Sequence, residues 1–429
     1  MKFEVSDRIV LVVGLGRSGI SAASLLREHG AVVRVTDIKG GPDVLPQTTE
    51  TFTSVDLVVL SPGVPLDLPE VLAAQQSGIP VIGEVELAGY WLRGPVIGIT
   101  GSNGKTTTTA MIGHILQQAG VPCQVGGNIG TAPTAMVASS LEKQWNVLEL
   151  SSFQLETIHE FRVDISVGLN VTPDHLDRHH TFERYSDAKA RMFELQNPGT
   201  QAVLNADDGG TSSWQSRTKA EVHWFSRKQA VPRGMWLKDG ILTLDGGALL
   251  PAQEIPLQGV HNIENTMAAA LASHLAGAGR EAIAAAIRTF PGVEHRIEFV
   301  RERNGVRYYN DSKATNVDAA EKAIDAFDGN LWIILGGKDK GSDYTVLEDK
   351  LRAKAKGILL IGSASEKIAG HLSGLALTKA GNMETALQIA AANATVGDVV
   401  LLAPACASFD QFENYEHRGR VFKDLVRNL

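Results

Sequence analysis

Cysteine is scarce: the 429 residues hold two, Cys123 and Cys406, far apart and without CxxC spacing. That excludes a disulfide framework and a cysteine-built zinc site. Long apolar runs are missing as well. Ile9–Gly16 is too short to span a bilayer, and Met1 to Asp7 lacks the pattern of a secretory leader, so no membrane insertion and a reduced, cytoplasmic location are expected. A basic excess is also absent, with 40 Lys and Arg against 48 Asp and Glu and a net charge of -8. A protein that neutralises many phosphates carries a basic surface, so nucleic acid is not the expected partner. A small anionic substrate stays compatible, because a local group of cations and backbone N–H groups can bind it on an acidic protein. No short internal repeat and no low-complexity tract occur. What remains is a globular composition, 44% hydrophobic and 21% charged, in a chain too long for one compact core.

Strand and helix signals alternate along the chain, which predicts parallel βαβ units. Strands are expected at Ile9–Val13, Val32–Asp37 and Leu57–Ser61, then a break near Arg93-Gly94-Pro95. A second stretch opens with Val96–Thr100, a Gly-rich turn and a helix from Lys105 to about Ala119. Val147–Leu150 and Ile165–Val171 follow, then a helix Glu183–Leu195 and a strand Ala202–Asn205. Short strands split at Lys238-Asp-Gly240 and Asp245-Gly-Gly247 predict hairpins, before an Ala-rich helix His261–Ala276. Strands at Leu331–Leu335, Gly357–Ile361 and Val399–Leu402 define a third stretch. The expected fold is α/β in three domains, 1–93, 94–297 and 298–429. The first and last are Rossmann-like, and the central one is phosphate-loop ATPase-like, with a parallel sheet plus a small antiparallel part.

The run Thr100-Gly-Ser-Asn-Gly-Lys-Thr-Thr107 follows a buried-type strand and opens a helix. Successive backbone N–H groups of Gly101, Ser102, Asn103, Gly104 and Thr107 can converge there on phosphate oxygens. Lys105 can reach the terminal phosphates and the Thr106 hydroxyl can ligate Mg²⁺. Ile99 stands where the strict phosphate-loop pattern has glycine, so the match is to a variant. Gly14-x-Gly16-x-x-Gly19 with Asp37 downstream fits a dinucleotide fingerprint, but it specifies a backbone geometry and fits another diphosphate equally. Glu149 ends the strand expected beside the phosphate loop, well placed for Mg²⁺. His175, in a polar run after an apolar strand, suits either metal or phosphate, or a structural role. Lys189 lies within a helix, where spacing alone does not distinguish it from a solvated lysine. Asp311–Asn316 follows a strand-like segment, and Gly336–Gly341 offers Lys338 or Lys340 to an anion.

Taken in order, TGSNGKTT, GGNIG (Gly126–Gly130), LELSSFQLE (Leu148–Glu156), NVTPDHLDRH, the Tyr185–Arg191 helix, QGVHNIEN (Gln258–Asn265), His295-Arg296, NDSKATN and PACASFDQFENYEHRG (Pro404–Gly419) resemble the Mur ligase family over essentially the whole chain. SSFQLE, DSKATN and ACASFDQF resemble its D-glutamate-adding branch. The resemblance implies an ATP-dependent amide ligase acting through an acyl phosphate, with UDP-N-acetylmuramoyl-L-alanine and D-glutamate as substrates and Mg²⁺ at two sites. It implies that Thr106, Glu149, His175 and Lys189, the lysine as a carbamate, hold the metals. Lys105, Asn262, Asn265, Arg296 and Asp311 would hold ATP. Gly16, Arg17, Ser18, Asp37 and Gly63, with Asn128 and His175, would hold the UDP-linked substrate. Thr315, Lys340, Ser408, Phe409 and Tyr415 would hold D-glutamate. Ile38 departs from the hydroxyl residue usual there, which leaves uracil a backbone contact, and Tyr415 replaces a usual phenylalanine. A sibling ligase, a folate-using ligase and a nicotinamide dehydrogenase are the competing readings, the last resting on Gly14–Gly19 and Asp37 alone.

Overall fold

A computed structural model describes residues 4–429, the Asp177 side chain apart. Met1–Phe3, part of the Met1–Asp7 stretch expected to lack a leader pattern, lie outside the described residues. The chain divides into two compact units, Met1–Ile255 with Ile263–Phe290, and Pro256–Asn262 with Pro291–Leu429.

The first unit holds two sheets. The smaller comprises β1 (Ile9–Val13), β2 (Val32–Thr36), β3 (Leu57–Leu60) and β4 (Val81–Gly83), all parallel, in the order β2-β1-β3-β4. Its first strand reads as unbroken apolar sequence because both faces are covered. Val10 and Val12 pack with Ala22 and Leu26, whereas Leu11 and Val13 pack with Phe52 and Val71. The larger sheet has nine strands. These are β5 (Val96–Thr100), β6 (Cys123–Gly127), β7 (Trp145–Glu149), β8 (Ile165–Gly168), β9 (Gln201–Asn205), β10 (Glu221–Ser226), β11 (Gly234–Lys238), β12 (Ile241–Leu244) and β13 (Gly247–Pro251). Their order is β13-β12-β11-β10-β9-β8-β5-β7-β6. The two expected turns do close antiparallel hairpins, β11 with β12 and β12 with β13, while β10 pairs with both neighbours in parallel. β8 stops at Gly168 rather than reaching Val171, because the chain then turns to bond the phosphate-loop segment.

The helix Glu84–Gly89 ties the two sheets together. Glu84 accepts bonds from the Thr134 N–H (2.7 Å) and hydroxyl (2.6 Å). Glu86 accepts from the backbone N–H groups of His159, Glu160 and Phe161. Both carboxylates are buried, and burial pushes Glu84 up to about 7 against the Thr134 bonds that lower it. Thr134 follows the Gly126–Gly130 stretch, so this junction anchors a segment that borders a cavity described below.

The second unit is built on one six-stranded sheet. Its strands are β14 (Glu298–Arg303), β15 (Val306–Asn310), β16 (Leu331–Gly336), β17 (Ala355–Ile361), β18 (Leu377–Gly381) and β19 (Val399–Leu402), ordered β14-β15-β19-β16-β17-β18. Only β14 runs antiparallel to its neighbour. Ile333 and Leu335 face one core with Ile324 and Leu401, and Ile334 faces the other with Val400 and Phe422. Loops leaving the carboxyl ends of β15, β16 and β19 carry Asp311–Asn316, Gly336–Gly341 and Ala405–Phe409. Open α/β sheets bind ligands at that end.

Candidate functional site

The phosphate loop follows β5, a fully buried strand flanked by β7 and β8. Gly104 is left-handed at φ +85°, and a β-carbon there would lie 2.2 Å from Asn265 Oδ1, so the loop's last turn requires glycine. The helix Lys105–Gln118 starts immediately after and directs its first-turn N–H groups back along the loop. The loop is strapped to the segment after β8. Ser102 N donates to Asn170 O, Thr172 N donates to Ser102 Oγ, and Asn103 N donates to Asn170 Oδ1. Tyr185, on the helix Phe182–Glu194, bonds Ser102 Oγ through its hydroxyl at 3.0 Å. Asn170 and Thr172 carry no signal beyond their place in a polar run, and Tyr185 shows itself only once the helix is folded.

Two lysines meet at one carbonyl. Lys105 Nζ donates to Gly101 O (2.8 Å) and Ser102 O (2.9 Å), and Lys189 Nζ donates to the same Gly101 O (2.9 Å). Lys105 therefore stands part-buried at the helix start instead of loosely in the loop. Lys189 is 1% exposed and lies over the Tyr185 ring at 4.5 Å. Burial pushes its amine well below the usual lysine range; the Lys105 cation adds to this, and Asp174 and Glu149 oppose it. An unremarkable helical lysine in sequence is thus a buried amine that shares a carbonyl with a second cation.

Glu149, at the end of β7, is buried. Its Oε1 accepts from Asn128 Nδ2 at 2.9 Å, whereas Oε2 has no hydrogen-bond partner among the described residues. A buried carboxylate oxygen left unmatched is costly and suits a cation. Thr106 lies buried on the same helix turn as Lys105. His175 occupies a left-handed position at φ +51° and packs its ring on Phe153 (4.9 Å) and Tyr185 (6.4 Å). Among the described residues no three His, Cys, Asp or Glu side chains group as a metal site. The expected donor set of hydroxyl, carboxylate, imidazole and lysine is of mixed type, and the unmatched Glu149 oxygen fits it.

A cavity of about 630 Å³ opens between the two sheets of the first unit, lined by Gly16, Arg17, Ser18, Asp37, Gly63 and Asn128. All the expected contacts of the UDP-linked substrate except His175 line it. Gly16 caps the helix Arg17–Glu28, whose first N–H groups face this space. A β-carbon on Gly19 would lie 1.8 Å from Gly14 O, so helix and loop approach as closely as the fingerprint demands. Asp37 accepts from Leu15 N (2.6 Å) and Lys39 N (2.8 Å), and these bonds hold its carboxyl below the ordinary range. Ile38, 86% exposed, also lines the cavity. Ser61 and Gln154 were not expected there; the Pro-Gly turn after β3 was the available signal for the first.

Arg178 supplies a further tie. It donates to Val64 O (2.8 Å) and Glu156 Oε2 (2.9 Å), and His179 pairs with Glu156 at 3.0 Å. The His175 segment is thereby fastened to the loop that lines the cavity at Gly63 and Val64.

In the second unit Arg296 and Asp311 lie near one another, and Asp311 Oδ1 accepts from Ile297 N at 3.2 Å. Burial pushes Asp311 up to about 7, opposed by that bond and by the Arg296 and Lys313 cations. Asn262 is buried and donates to Gln258 O; Asn265, three residues on, is buried in the first unit. Thr315, Lys340 and Ser408 sit on the three loops at the carboxyl ends of β15, β16 and β19, with Ser408 buried and Phe409 exposed. Tyr415 begins the helix Tyr415–Asn428, edge-on to His295 at 6.0 Å, with Lys313 Nζ 5.5 Å from its ring centre.

Three domain models match in series: the Mur ligase MurD-like N-terminal domain at 8–83, the Mur ligase middle domain at 99–273, and the Mur ligase glutamate ligase domain at 295–406. The chain belongs to the Mur ligase family. A relative from Solibacter usitatus, named UDP-N-acetylmuramoylalanine--D-glutamate ligase, is 56% identical over 98% of this Mur ligase and 97% of its own length. One of the same name from Acidobacterium capsulatum is 50% identical over 99% and 97%. The crystal structure of a MurF ligase from Thermotoga maritima in complex with ADP superposes with a TM-score of 0.61 at 19% identity, covering 99% of this chain and 97% of that one. That likeness shows that the fold is shared. No helix among the described residues of this Mur ligase is long and apolar enough to cross a membrane.

Proposed function

We propose that the chain is an ATP-dependent ligase joining the amine of D-glutamate to the alanyl carboxyl of UDP-N-acetylmuramoyl-L-alanine, with release of ADP and phosphate, in the cytoplasmic synthesis of peptidoglycan precursors. The observation that carries the reading is the meeting of Lys105 and Lys189 at the Gly101 carbonyl in the phosphate loop, with the buried Glu149 at the end of the neighbouring strand leaving one oxygen unmatched. The full-length identity to relatives of that name supports the choice of substrates. The stretches 1–93, 94–297 and 298–429 then serve the UDP-linked precursor, ATP and the amino acid.

The chemistry is an attack of one anion on another. The precursor carboxylate must approach the γ-phosphate of ATP, form an acyl phosphate and expel ADP. D-Glutamate's amine then attacks the activated carbonyl, and phosphate leaves as the amide forms. The Gly104 N–H and the start of the Lys105–Gln118 helix hold phosphate oxygens in place. Lys105 leaves the loop carbonyls for the γ-phosphate and offsets charge where it builds up. Thr106, Glu149, His175 and Lys189 would hold Mg²⁺ at two sites, and the metal supplies further screening of the two anions. Lys189 fits this role as a carbamate. Carbon dioxide adds to the amine nitrogen with loss of a proton, replacing a cation beside Glu149 by an anionic oxygen donor. Asn262, Asn265, Arg296 and Asp311 hold the nucleotide. Thr315, Lys340, Ser408, Phe409 and Tyr415 receive the two carboxylates and backbone of D-glutamate.

Phosphate release from ATP with each substrate omitted in turn tests the reading. Turnover should need both the precursor and D-glutamate. Comparable rates with L-glutamate or a diamino acid would refute the assignment of the amino acid.

A further inference from the structure

The loops that carry Thr315 and Lys340 are both tied to one short segment, Cys406–Ala407, of the loop that carries Ser408. The Lys340 loop meets it through two backbone bonds, Lys338 N to Ala407 O (2.8 Å) and Ala407 N to Lys338 O (3.2 Å). The Thr315 loop meets it through Arg418, a guanidinium with no exposed surface. Arg418 donates to Cys406 O and Ala407 O on one side, and to Ser312 O and Ser312 Oγ on the other.

A second tie runs through side chains. Asp339, next to Lys340, accepts from Gly341 N (3.1 Å), Ser342 N (3.2 Å), the Tyr344 hydroxyl (2.8 Å) and Lys367 Nζ (2.8 Å). The Tyr344 hydroxyl also lies 3.0 Å from Cys406 Sγ, and Tyr344 is fully buried. A phenol has one proton. The carboxylate is the stronger acceptor, so the proton points to Asp339 and the thiol S–H donates to the phenol oxygen. The resulting chain, Cys406 to Tyr344 to Asp339, crosses from the Ser408 loop to the Lys340 loop. Lys340 itself is exposed, at the crest of the turn that Asp339 closes.

We propose that Tyr344 and Asp339 are positioning residues of the amino-acid site, holding the Lys340 loop in register with the Ser408 loop so that both reach one substrate. The inference rests on reading Lys340 and Ser408 as contacts of the amino acid. Neither Tyr344 nor Asp339 touches the substrate; they set the span between the groups that do. A loosened span weakens capture of the amino acid and leaves the phosphate chemistry, which other residues perform, in place.

Steady-state kinetics of Tyr344→Phe, Asp339→Asn and the double variant test this, with Lys340→Ala in parallel. Each single variant should raise KM for D-glutamate by about tenfold, with kcat within about threefold and KM for ATP and the precursor within about twofold. The double variant should be no worse than the poorer single one, because both break one chain of bonds. Unchanged KM for D-glutamate in the singles, alongside a raised value in Lys340→Ala, overturns the positioning role alone. Unchanged KM in Lys340→Ala overturns the amino-acid site and the proposal with it. A fall in kcat together with weakened binding of all three substrates shows general structural damage and also overturns the proposal.

Discussion

Glu84 is a carboxyl that folding takes out of water: 1% exposed, two bonds from Thr134 to one oxygen, and no hydrogen-bond partner for the other among the described residues. Its folded value stands at about 7 against 4.5 ordinarily. The folded protein therefore holds this proton more tightly than the unfolded chain. The stabilising contribution is complete below about 4.5 and is lost as pH rises through about 7. At about 1.4 kcal/mol for each tenfold in proton affinity, the loss is on the order of 3 kcal/mol. Glu84→Gln keeps an oxygen for Thr134 and cannot ionise, so it retains that contribution at high pH. At about 2–4 °C per kcal/mol for a domain of 150–250 residues, the variant should melt about 6–12 °C above the native protein at pH 8 and level with it near pH 4.5. Thermal melts of both proteins across pH 4.5–8 check this, and the pH dependence of their difference isolates the one side chain. A difference that does not change with pH would refute the reasoning, as would a variant that loses stability in parallel with the native protein.

Lys105→Ala should lower kcat about a hundredfold or more, because the cation that offsets charge at the γ-phosphate is gone. Its melting point should fall only modestly, since two bonds to loop carbonyls contribute about 1 kcal/mol each. Lys189→Ala should be nearly inactive, with partial recovery when acetate or formate fills the vacated space; full activity without added acid would end the carbamate reading. UDP should bind the cavity over Gly16–Ser18 in titration calorimetry while NADH does not, and the reverse result would restore the dehydrogenase reading.

Inner strands were legible because burial on both faces writes a continuous apolar run, as in Ile9–Val13 and Leu331–Leu335. The strands that sequence reasoning passed over, β4, β6, β14 and β18, all stand at sheet edges. Edges are short, glycine-bearing or charged, as in CQVGG and EFVRER, and so carry little strand signal. The phosphate loop was legible because glycine, lysine and threonine must follow a strand in a set order. Lys189 was not, since its meaning lies in burial and in Gly101 and Glu149, residues distant in sequence. The ties made by Arg178 and Tyr344 were invisible for the same reason: each joins loops whose proximity only the fold creates.

The proposed reaction turns on activation of the precursor's carboxyl group by ATP. Oxygen-18 placed in both carboxyl oxygens of UDP-N-acetylmuramoyl-L-alanine tests it, with the phosphate released during D-glutamate ligation analysed by mass spectrometry. Attack of the carboxylate on the γ-phosphate makes one labelled oxygen the bridge of the acyl phosphate. That oxygen departs with phosphorus when the amine displaces it. One heavy oxygen is expected in each phosphate and one in the new amide; unlabelled phosphate formed in step with product would rule out phosphorylation of the carboxyl group.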